Sequence, residues 1–268
     1  QLLAAIPDDA GLYRAWLHPA GGQAAQIIQE KLFPPAIASA APRSNLAPIV
    51  AETADAGSEI DLESRIDERP LAENRDAFKV LRDRLDATKI DAMLEISSTK
   101  VDPDQVFVRP HSVIVLLAGV AWDAGAVRAA LGSAAEGVWS NSSTAAWRAG
   151  ANGIQELEGL GKLAVAADGK WLVIGDSAAM VNAVFARRTR TAIAGASYAA
   201  GWRHAQELPN FERMTKLIDF PQASDEPQFF SANLASLGRT LKRINAATIV
   251  VHDAGTMLRE SVVYKLTP

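Results

Sequence analysis

The segment from Lys162 to Arg188 constrains the fold more than any other part of the chain. Leu163, Val165, Trp171 and Val173 lie in two short runs that flank Asp168-Gly169. An Asp-Gly pair between apolar runs is a strong hairpin signal, because the tight turns that match strand twist need positive φ. This reading puts Asp168 and Gly169 at the centre of the turn and pairs Leu163–Ala167 with Lys170–Ile174 antiparallel. Gly175 ends the second strand, and Asp176 or Ser177 offers an oxygen to the free N–H groups of a helix. Met180, Val181, Val184 and Phe185 then recur at helical spacing, and Arg187 and Arg188 suit that helix's negative end. A lone hairpin is marginal in water, so the rest of the chain must supply a sheet and the helices that cover it.

Similar units recur along the chain. Gly11–His18 alternates as a strand, and Gly21–Phe33 carries Ala24, Ile27, Ile28 and Leu32 at helical spacing before Pro34-Pro35 stops it. Leu71–Leu85 is an amphipathic helix. Ala92–Ile96 and Val106–Leu117 read as strands around Asp102-Pro103-Asp104, with Pro110 restricting the second to an edge or a bulge. Asp123 caps a helix over Ala124–Leu131 that Gly132 terminates, and Ala145–Arg148 and Gly153–Leu157 add strands. Later come helices at Asn210–Ile218 and Ala235–Ile244, a strand at Ala247–His252, and a final hairpin turning at Asp253-Ala254-Gly255. Residues 34–70, with five prolines and an acidic surplus from Glu52 to Glu68, form an irregular excursion. The expected fold is α+β, with mainly antiparallel sheets and helices packed on one face. It forms a single compact unit over 1–268 with two similar halves, possible subdomains being 1–140 and 141–268.

Composition excludes several function classes. At 268 residues, 49% hydrophobic and 22% charged, the chain is globular rather than disordered or fibrous. Its net charge of −4, with the acidic surplus in the first half, gives no basic patch for nucleic acid. The longest apolar run, Ser112–Trp122, falls short of the ~20 residues that span a bilayer, so no transmembrane segment is expected. Cysteine is absent, which removes disulfides, thiolate zinc sites, iron–sulfur clusters and cysteine nucleophiles. The opening at Gln1 reads as a mature start after signal-peptide removal, although a trimmed chain would begin the same way.

No motif assembles a catalytic, cofactor or metal site. Gly159-Leu160-Gly161-Lys162-Leu163-Ala164 has the form of a dinucleotide loop but opens a strand instead of a helix. Ser97-Ser98-Thr99-Lys100 matches the S-x-x-K of serine acylases at a strand end, without their other motifs. His18, His111, His204 and His252 stand apart, with no spacing that puts two imidazoles on one metal. Asp8/Asp9 and Asp102/Asp104 are explained by turn chemistry, and Asn141-Ser142-Ser143 is a sequon in form only. Six tryptophans beside three tyrosines are the compositional oddity. Trp122, Trp139, Trp147, Trp171 and Trp202 could line an apolar groove for a ligand, or could fill the gap between helices and sheet.

Ile114–Leu131, Leu163–Arg188 and Phe229–Leu266 share apolar strands, a short turn such as Gly175-Asp176 and an alanine-rich helix. In these segments the chain resembles exported bacterial α+β proteins of unknown function. The resemblance implies a periplasmic or cell-envelope setting and carries no catalytic residue over. The functional expectation is a non-catalytic binding or scaffolding domain of the bacterial cell envelope, with an unknown protein, glycan or lipid ligand. The alternative is a hydrolase whose His, Asp or Glu, and Ser or Thr converge from distant positions.

Overall fold

Apolar runs too long for a one-sided sheet dominate the middle of the molecule. In the computed structural model the described residues are 2–33, 69–99, 110–139, 146–158, 162–188, 196–208, 210 and 243–266. They form the strands β1 (Leu12–Leu17), β2 (Ile90–Thr99), β3 (Pro110–Ala118), β4 (Ala146–Ala149), β5 (Gln155–Glu158), β6 (Lys162–Asp168), β7 (Trp171–Gly175), β8 (Tyr198–Trp202), β9 (Ile244–Asp253) and β10 (Leu258–Leu266). The helices are α1 (Gln23–Leu32), α2 (Arg69–Asp86), α3 (Ala124–Trp139) and α4 (Ala178–Ala186). The strands make one sheet in the order β10-β9-β8-β1-β2-β3-β7-β6-β5-β4, and every pair is antiparallel.

The α+β class and the antiparallel sheet agree with the sequence. The one-faced helix packing is corrected. Met93, Ile114, Leu116, Leu172 and Ile174 form one apolar layer with Ile28, Phe78, Leu81, Leu131 and Ala134 of α1, α2 and α3. Leu94, Ile96, Val113, Val115 and Val173, one residue out of phase, form a second layer with Met180, Val181, Val184 and Phe185 of α4 and with Leu2 and Ala5 near the N-terminus. The reason is strand periodicity: β2, β3 and β7 are apolar at odd and even positions alike, so both faces need cover. The segments β2–β3–α3 and β6–β7–α4 each run strand, strand, helix, but α3 and α4 cover opposite faces.

Local details depart from the sequence reading where the turn or the packing decides. The central hairpin pairs Asp168 with Trp171, so its two loop residues are Gly169 and Lys170, and only Gly169 has positive φ, at 55°. Glycine leading a two-residue loop is the alternative solution to strand twist. At the end of this hairpin's helix, Arg188 pairs with Asp168 at 2.7 Å and stacks on Phe185, while Ser177 is the N-cap. α3 begins as expected, with Asp123 accepting from Ala126 N at 3.0 Å, but continues through Gly132 to Trp139. One interior glycine costs about 1 kcal/mol, less than burial of the flanking Leu131, Ala134 and Ala135 returns. The last hairpin has a four-residue loop over 254–257, because Asp253 pairs with Leu258 and its carboxylate accepts from Gly255 N at 2.7 Å. Ile244, expected to end a helix, starts β9. The excursion over 34–70 lies outside the described residues except for Arg69 and Pro70, which open α2. Asn141–Ser143, Asp102/Asp104 and the helix at 211–218 also lie outside them.

Gly175 is where β7 meets both β3 and α4. A Cβ there would stand 2.8 Å from the Ser112 carbonyl oxygen and 2.9 Å from Val181 Cγ2. Gly175→Ala is expected to destabilise the protein by about 1–3 kcal/mol through overpacking, read as a lower urea midpoint. An unchanged midpoint would show that α4 is not held tightly on the sheet.

Candidate functional site

One buried carboxylate sits in the middle of the sheet. Alternation along β2 places Met93, Glu95 and Ser97 on the face toward α1, and Glu95 is fully buried there. Its cross-strand neighbour Arg14 reaches Oε2 with Nε at 2.8 Å and Nη2 at 2.5 Å. Lys31, in the last turn of α1, brings Nζ to 3.2 Å from Oε1, an ion pair without hydrogen-bond alignment. Burying a lone carboxylate costs several kcal/mol, so both cations are needed to hold it. Their side chains remain about one-third exposed, at 36% for Arg14 and 35% for Lys31. The Arg14 guanidinium also lies 5.3 Å over the Trp16 ring.

From this hub the same face runs out to the edge of the sheet, where the described helices pack less. Helix packing is concentrated on β3, β6 and β7. Register sets three rows across β1, β8, β9 and β10: Trp16–Tyr198–Val251–Glu260, Arg14–Ala200–Ile249–Val262 and Leu12–Trp202–Ala247–Tyr264. The middle row is low where Ala200 stands between Tyr198 and Trp202. Trp16 and Tyr198 stack at 5.6 Å with a 58° tilt. Tyr198, Trp202, Ile249 and Val251 are half-buried, while Val262 and Tyr264 are exposed. The opposite side of β10 carries Arg259, Ser261, Val263 and Lys265, and Val263 is exposed as well.

A second concavity, of about 210 Å³, lies between the start of β6 and the N-terminus of α4, lined among others by His111, Glu156, Lys162, Asp176 and Ser177. Asp176 is tied down by Ser112, whose N–H donates to Oδ1 at 2.9 Å and whose carbonyl accepts from Asp176 N at 3.2 Å. His111 Nδ1 stands 3.3 Å from the same Oδ1, close enough for charge interaction but not aligned as a hydrogen bond. Ser177 Oγ accepts from Met180 N at 3.4 Å. Among the described residues Asp176 is the polar partner of His111, and no hydroxyl is placed against the other ring nitrogen.

The tryptophans singled out from the sequence do not converge. Trp122 packs on the α1-side core and donates from Nε1 to the Lys170 carbonyl at 3.0 Å. Trp147 packs on the same core, its Nε1 crowding the α3 backbone at Gly132. Trp171 is buried in the opposite layer. Trp139 ends α3, and its side chain lies outside the described residues. Of the four whose side chains are described, Trp202 alone stands on the Trp16–Tyr198 face of the outer strands, its ring 4.7 Å from that of His204. Trp16 and Tyr198 were missed. The available signal was the spacing of Arg14 and Trp16 along β1, which puts cation and ring on one side. Of the S-x-x-K segment, Ser97 approaches Ser112 Oγ at 3.3 Å and Ser98 donates to the Asp9 carbonyl, while Lys100 lies outside the described residues. Among the described residues no group of three His, Cys, Asp or Glu side chains is placed to hold a metal ion.

No family model and no curated protein matches the sequence. Among solved structures, crystal form III of TP0453 is similar at 9% identity and a TM-score of 0.38, covering 98% of this chain and 79% of that one. Crystal form IV is similar at 10% identity and a TM-score of 0.38, covering 97% and 78%. A likeness at this score carries no argument about function. No described helix is long and apolar enough to cross a membrane.

The hub makes an asymmetric prediction. Arg14→Leu leaves the buried Glu95 with Lys31 alone and is expected to cost about 2 kcal/mol, below the full penalty of an unpaired buried charge. Glu95→Leu leaves two cations that can turn to solvent and should cost less. Urea unfolding of both variants checks the order, and a larger loss for Glu95→Leu would reverse the account.

Proposed function

We propose that this chain is a non-catalytic binding domain of the bacterial cell envelope, with the face of β1, β8, β9 and β10 that carries Trp16, Tyr198, Trp202 and Tyr264 as its contact surface. The observation that carries the reading is the set of apolar and aromatic side chains that register aligns across β1, β8, β9 and β10, among which Val262 and Tyr264 are exposed. Leaving Val262 and Tyr264 in water forgoes burial that a ligand would restore. The exported setting rests on the sequence resemblance of the strand-turn-helix segments. The chain is read as a single compact unit, supported by strands from both sides of residue 140 entering one sheet.

A second reading is a hydrolase at the cleft between β6 and α4. It is favoured by His111 standing beside Asp176 with Ser177 on the same wall. A triad there would need Ser177 Oγ to leave its cap on Met180 N and turn toward the imidazole, with Asp176 orienting the ring. Ester turnover no faster in the wild type than in His111→Ala would remove this reading.

The binding reading is tested with Nile red, an uncharged apolar dye. The folded protein should bind it with a blue-shifted emission, and Val262→Lys with Tyr264→Lys should weaken binding at least tenfold. Both positions are exposed, so the melting temperature should stay within about 2 °C of the wild type. Dye binding that persists in the double variant would place the contact surface elsewhere.

A further inference from the structure

We infer that the cleft between β6 and α4 is a binding site for a small zwitterion, a free α-amino acid, whose carboxylate meets Lys162 and whose ammonium meets Glu156 and Asp176. The cleft exists because β7 stops short of its neighbours. It ends at Gly175, which pairs with Ala164 of β6 on one side and with Val113 of β3 on the other. Lys162 and His111 lie two residues further along those strands, in phase with Ala164 and Val113, which belong to the layer beneath α4. Two strand spacings of about 4.8 Å separate β6 from β3 there, a gap of ~10 Å that the chain enters with Asp176, Ser177 and the start of α4. What remains is the concavity of about 210 Å³, smaller than the roughly 300–1,000 Å³ of sites for drug-sized ligands, so its occupant is small.

Charge selects the ligand. Glu156 is the cross-strand neighbour of Ala164, so its side chain stands on the same face as that of Lys162 and diagonal to it across β5 and β6. These opposite charges line one cavity without pairing with each other, and among the described residues neither has an ion-pair partner. Asp176 is held through Oδ1, which accepts from Ser112 N at 2.9 Å with His111 Nδ1 3.3 Å away, while its Oδ2 has no described partner. A lone anion would face two carboxylates, and a lone cation would face the lysine. A molecule with one charge of each sign satisfies both, and the small volume selects an amino acid over a longer peptide. The inference goes beyond both readings above, because it needs neither the outer strands nor a free Ser177, whose Oγ stays on Met180 N.

The test is a ligand-observed NMR titration with L-alanine, with propionate, which lacks the ammonium, and with ethylamine, which lacks the carboxylate. L-Alanine should bind about tenfold or more tighter than either of the others, since each of them forfeits one charged contact. Glu156→Gln should weaken L-alanine about tenfold and leave propionate unchanged or tighter. Lys162→Gln should weaken L-alanine and propionate alike and spare ethylamine. Lys162 is exposed and Glu156 half-buried, so both variants should melt within about 2 °C of the wild type. Mere damage to the fold would weaken all three ligands together, and that pattern overturns the assignment of the two charges. Propionate binding as tightly as L-alanine would make the cleft an anion site, ethylamine binding as tightly would make it a cation site, and either overturns the inference. No binding of L-alanine to the wild-type protein overturns it as well.

Discussion

Strands β2, β3 and β7 are apolar on both faces, and most of the architecture follows from that constraint. Leu94, Ile114, Val115, Leu116, Leu172, Val173 and Ile174 are wholly buried, and they alternate between the two sides of the sheet. Neither layer can be removed without exposing large side chains worth roughly 1.5–3 kcal/mol each. Helices α1, α2 and α3 therefore close one side, and α4 with the N-terminal turn closes the other. Gly175 fits this logic: the backbone of β3 and the side chains of α4 approach so closely there that a methyl group has no room.

The sheet changes character at Glu95. On the side of β3 the α1 face is a dry aliphatic core, and on the side of β8 it is aromatic and partly wet. A carboxylate at this border can be buried only because Arg14 and Lys31 approach it from two directions, one along the sheet and one from the helix above. The same contacts fix both cations beside the aromatic row.

The outer strands are built for exposure more than for stability. β10 is an edge strand with Arg259, Glu260 and Lys265 interspersed among its apolar residues, and such charges discourage edge-to-edge association. Its hairpin with β9 contributes little fully buried surface, so local opening there costs less than opening the central strands.

Period-2 apolar patterns and turn residues were enough to read β1, the central hairpin, α4 and the last hairpin from the sequence, because those signals are local. Their limits were local too. Asp168-Gly169 announced a turn but not which residue would lead it, and Gly132 looked like a stop until burial of its neighbours outweighed its cost. Whether helices covered one face or two depended on which elements met, although the two-phase apolar pattern of β2 and β3 already required both. The candidate surface was the least legible part. Trp16, Tyr198 and Val262 are separated by long stretches of chain, and only strand order and register bring them into adjacent rows. Composition and alternation thus determined an antiparallel α+β fold with more tryptophan than tyrosine to place. Tertiary structure alone decided which aromatics were spent in the core and which stood open beside two cations, because that depends on pairings between residues far apart in the chain.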